Sequence, residues 1–185
     1  MRNLPNLISL MRLLLVPLTV WLILSEAYSL AFASFVLAGV SDGVDGFLAR
    51  RYDWRSRLGT YLDPLADKAL VVSVFVTLGF LKLIPTWLVI IVVSRDVLII
   101  GAVLLSRLVD NPVRVQPLMV SKVNTAAQIC YLVGVLALAA FGGPLSLLVD
   151  VGSIAVALLT VLSGAAYLMA WLRHVAEAPH EDKKP

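Results

Sequence analysis

The stretch that decides the reading is Asp42-Gly43-Val44-Asp45-Gly46-Phe47-Leu48-Ala49-Arg50. An arginine-rich link follows it, and then Gly59-Thr60-Tyr61-Leu62-Asp63-Pro64-Leu65-Ala66-Asp67. Four carboxylates sit here where the neighbouring sequence is apolar enough to enter a membrane. A charged side chain at a helix centre in a bilayer costs about 2.5–3.5 kcal/mol on insertion scales, so such a cluster marks a functional site. Positions 42, 45, 46 and 49 recur at i, i+3, i+4 and i+7, one face of a helix. Asp63 and Asp67 are i and i+4, again one face. Gly46 and Ala49 leave a bare strip against which a bulky group can lie. A short link lets the two helices fold back, so that the four carboxylates converge. Converging carboxylates repel unless cations lie between them. Hard oxygen donors of this kind suit Mg²⁺, Mn²⁺ or Ca²⁺, and four shared carboxylates suit a pair of ions clamping a phosphoryl transfer.

Composition sets the frame. Of 185 residues, 60% are apolar and 15% charged, with a mean hydropathy of +0.93. A soluble domain is about 45–50% apolar and about 25% charged. The expectation is an all-α integral membrane protein. Six spans are expected, near 10–24, 29–50, 63–81, 85–108, 120–141 and 145–171, each close to the ~20 residues that cross a bilayer. A short interfacial helix over Met1–Leu10 leads into the first. The first apolar run holds Arg12 and lacks a small-residue cleavage site, so it reads as retained. Residues 1–173 form one membrane domain, and 174–185, with His174 and His180, a polar disordered tail. With the N-terminus inside, Arg50, Arg51, Arg55, Arg57, Lys68, Arg107, Arg114, Lys122 and Arg173 fall on the cytoplasmic side. Lys82 alone falls outside, which orients the chain and puts the aspartates at the cytoplasmic face. The net charge of +3 suggests no nucleic-acid partner. The single Cys130 cannot form an internal disulfide and reads as a small packed hydrophobe.

The run Asp-x2-Asp-Gly-x2-Ala-Arg-x8-Gly-x3-Asp-x3-Asp resembles the signature of the CDP-alcohol phosphotransferase (phosphatidyltransferase) family. Asp42, Asp45, Gly46, Ala49, Arg50, Gly59, Asp63 and Asp67 fill every fixed position. The resemblance implies transfer of a substituted phosphate from a CDP-linked donor to an alcohol, with release of CMP. It implies two divalent ions, Mg²⁺ or Mn²⁺, ligated by Asp42, Asp45 and Asp63. Asp67 would stand at the edge of the metal site as general base. Gly46 and Ala49 would make room for the cytidine portion of the donor, with Gly59 in the same signature. Arg50 would pair with a donor phosphate, and Asn6 would contact the nucleotide. A homodimer is implied as well.

Beyond the signature, Val93-Ser94-Arg95-Asp96-Val97 and Ser121-Lys122-Val123-Asn124-Thr125 look like the pattern of the CMP-forming cardiolipin synthase branch. That branch takes CDP-diacylglycerol and phosphatidylglycerol. The phosphatidylglycerophosphate synthases, which use glycerol 3-phosphate, more usually carry Glu at 96, and Gly and Lys at 121 and 124. Losing a lysine suits a monoanionic acceptor, so the first branch is expected and the second is the alternative.

Arg95-Asp96 falls in mid-span. Adjacent helical residues diverge, so a mutual pair is not expected. One reading is a structural ion pair between spans. The other is that Arg95 offers its fork to an acceptor phosphate. Lys122 is either a snorkelling interfacial lysine or a second acceptor contact. Arg12 and Asn6 can face the same cavity. Rival classes are a membrane prenyltransferase, whose Asp-rich spacing differs, and a cation transporter, which would not need the Gly46–Ala49–Arg50 strip.

Overall fold

The computed structural model describes residues 4–52, 57–108 and 119–176, with side chains for 11–41, 43, 68–101, 119–144 and 146–170. The described residues form six α-helices. They are α1 (Leu4–Leu24), α2 (Tyr28–Tyr52), α3 (Arg57–Phe80), α4 (Thr86–Leu108), α5 (Met119–Phe141) and α6 (Leu145–Ala176). They pack as a ring in the order α1, α2, α5, α6, α4, α3 and back to α1, with α3 also touching α5 across the middle. The consecutive helices α2 and α3 share no broad contact among the described residues. They border α1 on one side and α5 on the other.

Three links at one end of the ring are tight because each closing helix turns left-handed just past its last turn. Glu26 (φ 58°), Lys82 (φ 59°) and Gly142 (φ 78°) occupy that position. At the first, Ala27 N donates to Leu22 O at 2.9 Å and Glu26 N to Ile23 O at 3.0 Å. At the second, Leu83 N donates to Leu78 O and Lys82 N to Gly79 O. These pairs are Schellman caps, which satisfy the last carbonyls of a helix. The chain thus reverses sharply at Lys82–Pro85 and Phe141–Pro144.

Helix limits differ from expectation at three places. The separate interfacial helix is absent, since α1 runs unbroken from Leu4 to Leu24. Pro5 falls in its first turn, where the missing N–H costs nothing. Helix α3 begins at Arg57, ahead of the span expected from Asp63. Helix α6 continues to Ala176, so His174 lies in a helix, not in a tail. Residues 177–185 lie outside the described residues.

The interior is apolar towards the tight turns. Ile23, Val74, Phe75, Leu78, Leu88 and Leu132 are fully buried there. Phe75 of α3 stacks on Tyr131 of α5, with ring centroids 6.2 Å apart. Thr19 Oγ1 on α1 lies 2.7 Å from Ser34 Oγ on α2. The exterior is equally apolar, with Trp21, Leu30, Phe80, Leu98, Ile129 and Leu158 exposed on six different helices. Cys130 is also exposed, contrary to the packed position expected. Helices α5 and α6 are long and apolar enough to cross a membrane, over Met119–Phe141 and Ser146–Ala170.

Helices with apolar side chains both inside and out gain little from apolar burial when lipid surrounds them. Close packing and interhelical hydrogen bonds carry association instead. Helices α5 and α6 use both. Tyr131 Oη lies 2.8 Å from Ser153 Oγ, and Thr160 Oγ1 donates to Asn124 Oδ1 at 2.9 Å. Gln128 Nε2 reaches Thr160 Oγ1 at 3.3 Å. Seven residues on from Asn124 stands Tyr131, and seven back from Thr160 stands Ser153, so the bonds define one antiparallel register. Gly152 lets that register close, since a Cβ there would lie 2.9 Å from the Tyr131 ring. The ring cannot yield easily, being held by Ser153 and Phe75.

Gly152→Ala is therefore expected to destabilise the bundle by about 1–3 kcal/mol, the usual cost of overpacking. Thermal unfolding in detergent checks this. Gly101→Ala on α4, where no atom lies within 4 Å, is expected not to lower the midpoint.

Candidate active site

The signature residues lie on two helices that share no broad contact among the described residues. Helix α2 carries Asp42, Asp45, Gly46, Ala49 and Arg50, and α3 carries Gly59, Asp63 and Asp67. Their side chains, and that of Asn6 on α1, lie outside the described side chains, as does the link 53–56. What is described is the ground they stand on.

A cavity of about 450 Å³ separates α2 from α3, within the ~300–1,000 Å³ usual for ligand pockets. Phe35, Ala38 and Gly39 of α2 wall one side, and Lys68, Leu70 and Val71 of α3 wall the other. Arg12 of α1 and Thr125 of α5 close it, with Ile129 and Val133 of α5 adding apolar wall. Helical register ties this cavity to the signature. Positions 42, 45, 46 and 49 continue the stripe that begins with 35, 38 and 39. Positions 63 and 67 continue, in the other direction, the stripe through 70 and 71. The two halves of the signature thus extend the two walls of one cavity.

A polar layer crosses the ring at this level. Lys68 Nζ on α3 donates to both oxygens of Asp96 on α4, each at 2.8 Å. Arg95 Nη1 donates to the same Asp96 Oδ1 at 2.7 Å. Arg95 Nη2 donates to Ser121 Oγ on α5 at 2.7 Å and to Ser163 Oγ on α6 at 2.6 Å. The guanidinium also lies over the Tyr167 ring, 5.6 Å from its centroid, a cation–π distance. Of the three guanidinium nitrogens only Nε has no partner among the described residues. The expectation that Arg95 and Asp96 do not satisfy each other is therefore corrected. Successive Cβ atoms diverge by about 100°, but the long arginine stem bends its head back to the neighbouring carboxylate.

The layer changes the standing of several residues. Arg95 has both Nη atoms committed inside the bundle and is 6% exposed. Lys122 is exposed at the start of α5, in the snorkelling position. Arg12, 1% exposed, faces the cavity as anticipated. Asn124 is fully buried between α5 and α6 and accepts from Thr160, so a residue at this position answers to packing. Lys68 was legible only as one more cytoplasmic charge. Its place directly after Asp67 is the signal that could have singled it out. Ser163 and Thr160, three apart in an otherwise apolar span, were the corresponding signal on α6.

The polar layer and the signature positions thus lie at one end of an apolar helical bundle. The chain belongs to the CDP-alcohol phosphatidyltransferase family, whose model matches residues 2–175. It is 38% identical over 155 residues to a CMP-forming cardiolipin synthase of Homo sapiens, covering 75% of this chain and 52% of that protein. It is 37% identical over 157 residues to a chloroplastic CDP-diacylglycerol–glycerol-3-phosphate 3-phosphatidyltransferase of Oryza sativa subsp. japonica, covering 76% and 48%. A probable CMP-forming cardiolipin synthase of Drosophila melanogaster is 32% identical over 143 residues, covering 69% and 44%. The chain spans about half the length of these relatives.

Arg95→Met is expected to destabilise strongly, since it leaves Asp96 with Lys68 as its one cation and takes the shared donor from Ser121 and Ser163. Breaking a buried pair typically costs about 3–5 kcal/mol. Lys122→Ala is expected to leave stability within about 0.5 kcal/mol, as exposed substitutions do. Thermal unfolding of the two variants side by side measures the contrast.

Proposed function

We propose that the chain transfers a phosphatidyl group from CDP-diacylglycerol to phosphatidylglycerol, giving cardiolipin and CMP. The observation that carries this reading is the junction of the complete signature with an apolar cavity between α2 and α3, in a chain 38% identical to a cardiolipin synthase. In this reading all six helices span the bilayer, with the N-terminus and the acidic end in the cytoplasm. Exposed apolar side chains on every helix support the spanning, and the one-sided distribution of Lys and Arg supports the orientation. The lipid chains of donor and acceptor stay in the bilayer while CMP leaves to water. The active form is a homodimer.

The residues present suit divalent ions. Four carboxylates, with no thiol or imidazole among them, form a hard donor set, and they stand on two helices bordering one cavity. Asp42, Asp45, Asp63 and Asp67 would hold two Mg²⁺ or Mn²⁺ ions. When bound, the ions neutralise the diphosphate and polarise the phosphorus under attack. Asp67 accepts the proton of the attacking glycerol hydroxyl. The new P–O bond forms as the bond to CMP breaks. Gly46 and Ala49 leave space for cytidine, Gly59 keeps the start of α3 slim beside it, and Asn6 contacts the nucleotide. Arg50 pairs with a donor phosphate. On the acceptor side, Lys122 attracts the incoming anion at the mouth and Arg95 acts through its grip on Asp96. The apolar cavity wall keeps water from competing with the alcohol.

A second reading, phosphatidylglycerophosphate synthesis with glycerol 3-phosphate, is favoured by the similarity to the rice transferase. Purified protein with CDP-diacylglycerol and Mn²⁺ separates the two. CMP release with phosphatidylglycerol and not with glycerol 3-phosphate is expected, and the reverse would transfer the assignment. Chelation of divalent ions is expected to stop release, and restored Mn²⁺ to recover it. Asp67→Asn is expected to lose about 10²–10⁴-fold in kcat, the span of general acid–base contributions, while still binding the donor. Asp42→Asn is expected to lose donor affinity with the metal. Retention of most activity by Asp67→Asn would remove its role as base.

A further inference from the structure

The cavity between α2 and α3 is apolar along most of its length but carries two cations, Arg12 and Lys68, at the end nearest the signature. Arg12 is buried, and Lys68 keeps 34% of its side chain exposed. An anion with an apolar chain matches that division, with the charge between Arg12 and Lys68 and the chain along Phe35, Val71, Ile129 and Val133. Two further facts concern how Lys68 is held. Asp96, 5% exposed at its side chain, takes Lys68 on both oxygens, each at 2.8 Å. Arg95 in turn fixes Asp96 and is itself tied to α5 and α6. Two cations thus share one carboxylate, leaving a net charge of about +1 on the triad beside the cavity. A lysine adjacent in sequence to an acidic cluster would otherwise be drawn to that cluster. Asp96 draws it towards α4 instead.

We propose that this cavity is the seat of the acceptor phospholipid, with Lys68 and Arg12 meeting its phosphodiester and Asp96 acting as the residue that positions Lys68. The inference rests on the reading of the chain as a phosphatidyltransferase with a lipid acceptor. Charge favours the acceptor over the donor as occupant. The donor's diphosphate would be matched by ions held at the four carboxylates, whereas a phosphodiester carries a single charge, which the net charge of about +1 on Lys68, Asp96 and Arg95 matches. The cavity's volume admits a headgroup and the start of one chain, and the rest of the lipid lies outside. Arg95, with both Nη atoms bonded within the protein, serves the acceptor only at second hand.

The test pairs a binding measurement with kinetics. Native mass spectrometry of the metal-free protein in detergent compares retained phosphatidylglycerol with phosphatidylcholine of the same chains. The wild type is expected to prefer phosphatidylglycerol. Lys68→Met is expected to lose about tenfold in that preference, as the loss of one charge-assisted hydrogen bond implies. Asp96→Asn is expected to lose it similarly, and Asp96→Glu, which keeps the carboxylate, to retain it. In turnover, Lys68→Met is expected to raise the KM for phosphatidylglycerol about tenfold and that for CDP-diacylglycerol less than about twofold. A merely structural pair would move both KM values together. Unchanged lipid preference in Lys68→Met, or equal rises in both KM values, would overturn the proposal. Should the wild type release no CMP with phosphatidylglycerol yet lose its lipid preference on Lys68→Met, the transfer reading fails and the anionic-lipid seat stands.

Discussion

A single buried carboxylate, Asp96, holds two cations at once, and the polar end of the bundle depends on it. Lys68 reaches it from α3 and Arg95 from its own helix, while Arg95 carries the connection on to Ser121 and Ser163. Four of the six helices are therefore joined by ionic hydrogen bonds at one level. In a lipid-facing bundle such bonds matter because apolar contact gives no net preference for protein over lipid. Individual interhelical bonds average only about 0.6 kcal/mol, yet an unpaired charge at the same place would cost several times as much. The layer is secure because each of its charges has a partner.

The two ends of the bundle have opposite characters. Schellman caps at Glu26, Lys82 and Gly142 close one end in tight turns, and the core beside them is dry. At the other end α2 and α3 stand apart across a cavity. Helical register extends the walls of that cavity into the signature positions. In the proposed function the gap between α2 and α3 takes the lipid chain, and the acidic ends of the same helices take the water-soluble leaving group.

Much of this was legible in the sequence because contrast is strong there. Asp42, Asp45, Asp63 and Asp67 stand out against apolar surroundings, and the six apolar runs match the six helices within a turn at most ends. Helix starts at Leu4 and Arg57 were harder, since the polar and charged residues ahead of Leu10 and Asp63 do not look like part of an apolar span, yet the chain is already helical there. The Arg95–Asp96 pair was misjudged because spacing rules describe where Cβ atoms point and not how far an arginine reaches. The α5–α6 ladder of Asn124, Gln128 and Tyr131 with Thr160 and Ser153 was invisible for another reason. Each is unremarkable alone, and only the antiparallel register makes them partners. Lys68 passed as a surface charge, since nothing in one dimension says that Asp96, 28 residues on, lies beside it.

The central claim is that the halves of the signature on α2 and α3 build one metal site at the head of one cavity. Counting bound Mn²⁺ by electron paramagnetic resonance, in the wild type and in Asp63→Asn, tests it most directly. The account predicts about two ions per chain, as a shared carboxylate cluster of this size suggests, with Asp63→Asn weakening both because the ions share ligands from the two helices. Full binding at the Asp42–Asp45 pair in Asp63→Asn would contradict it, since the two halves would then be independent sites.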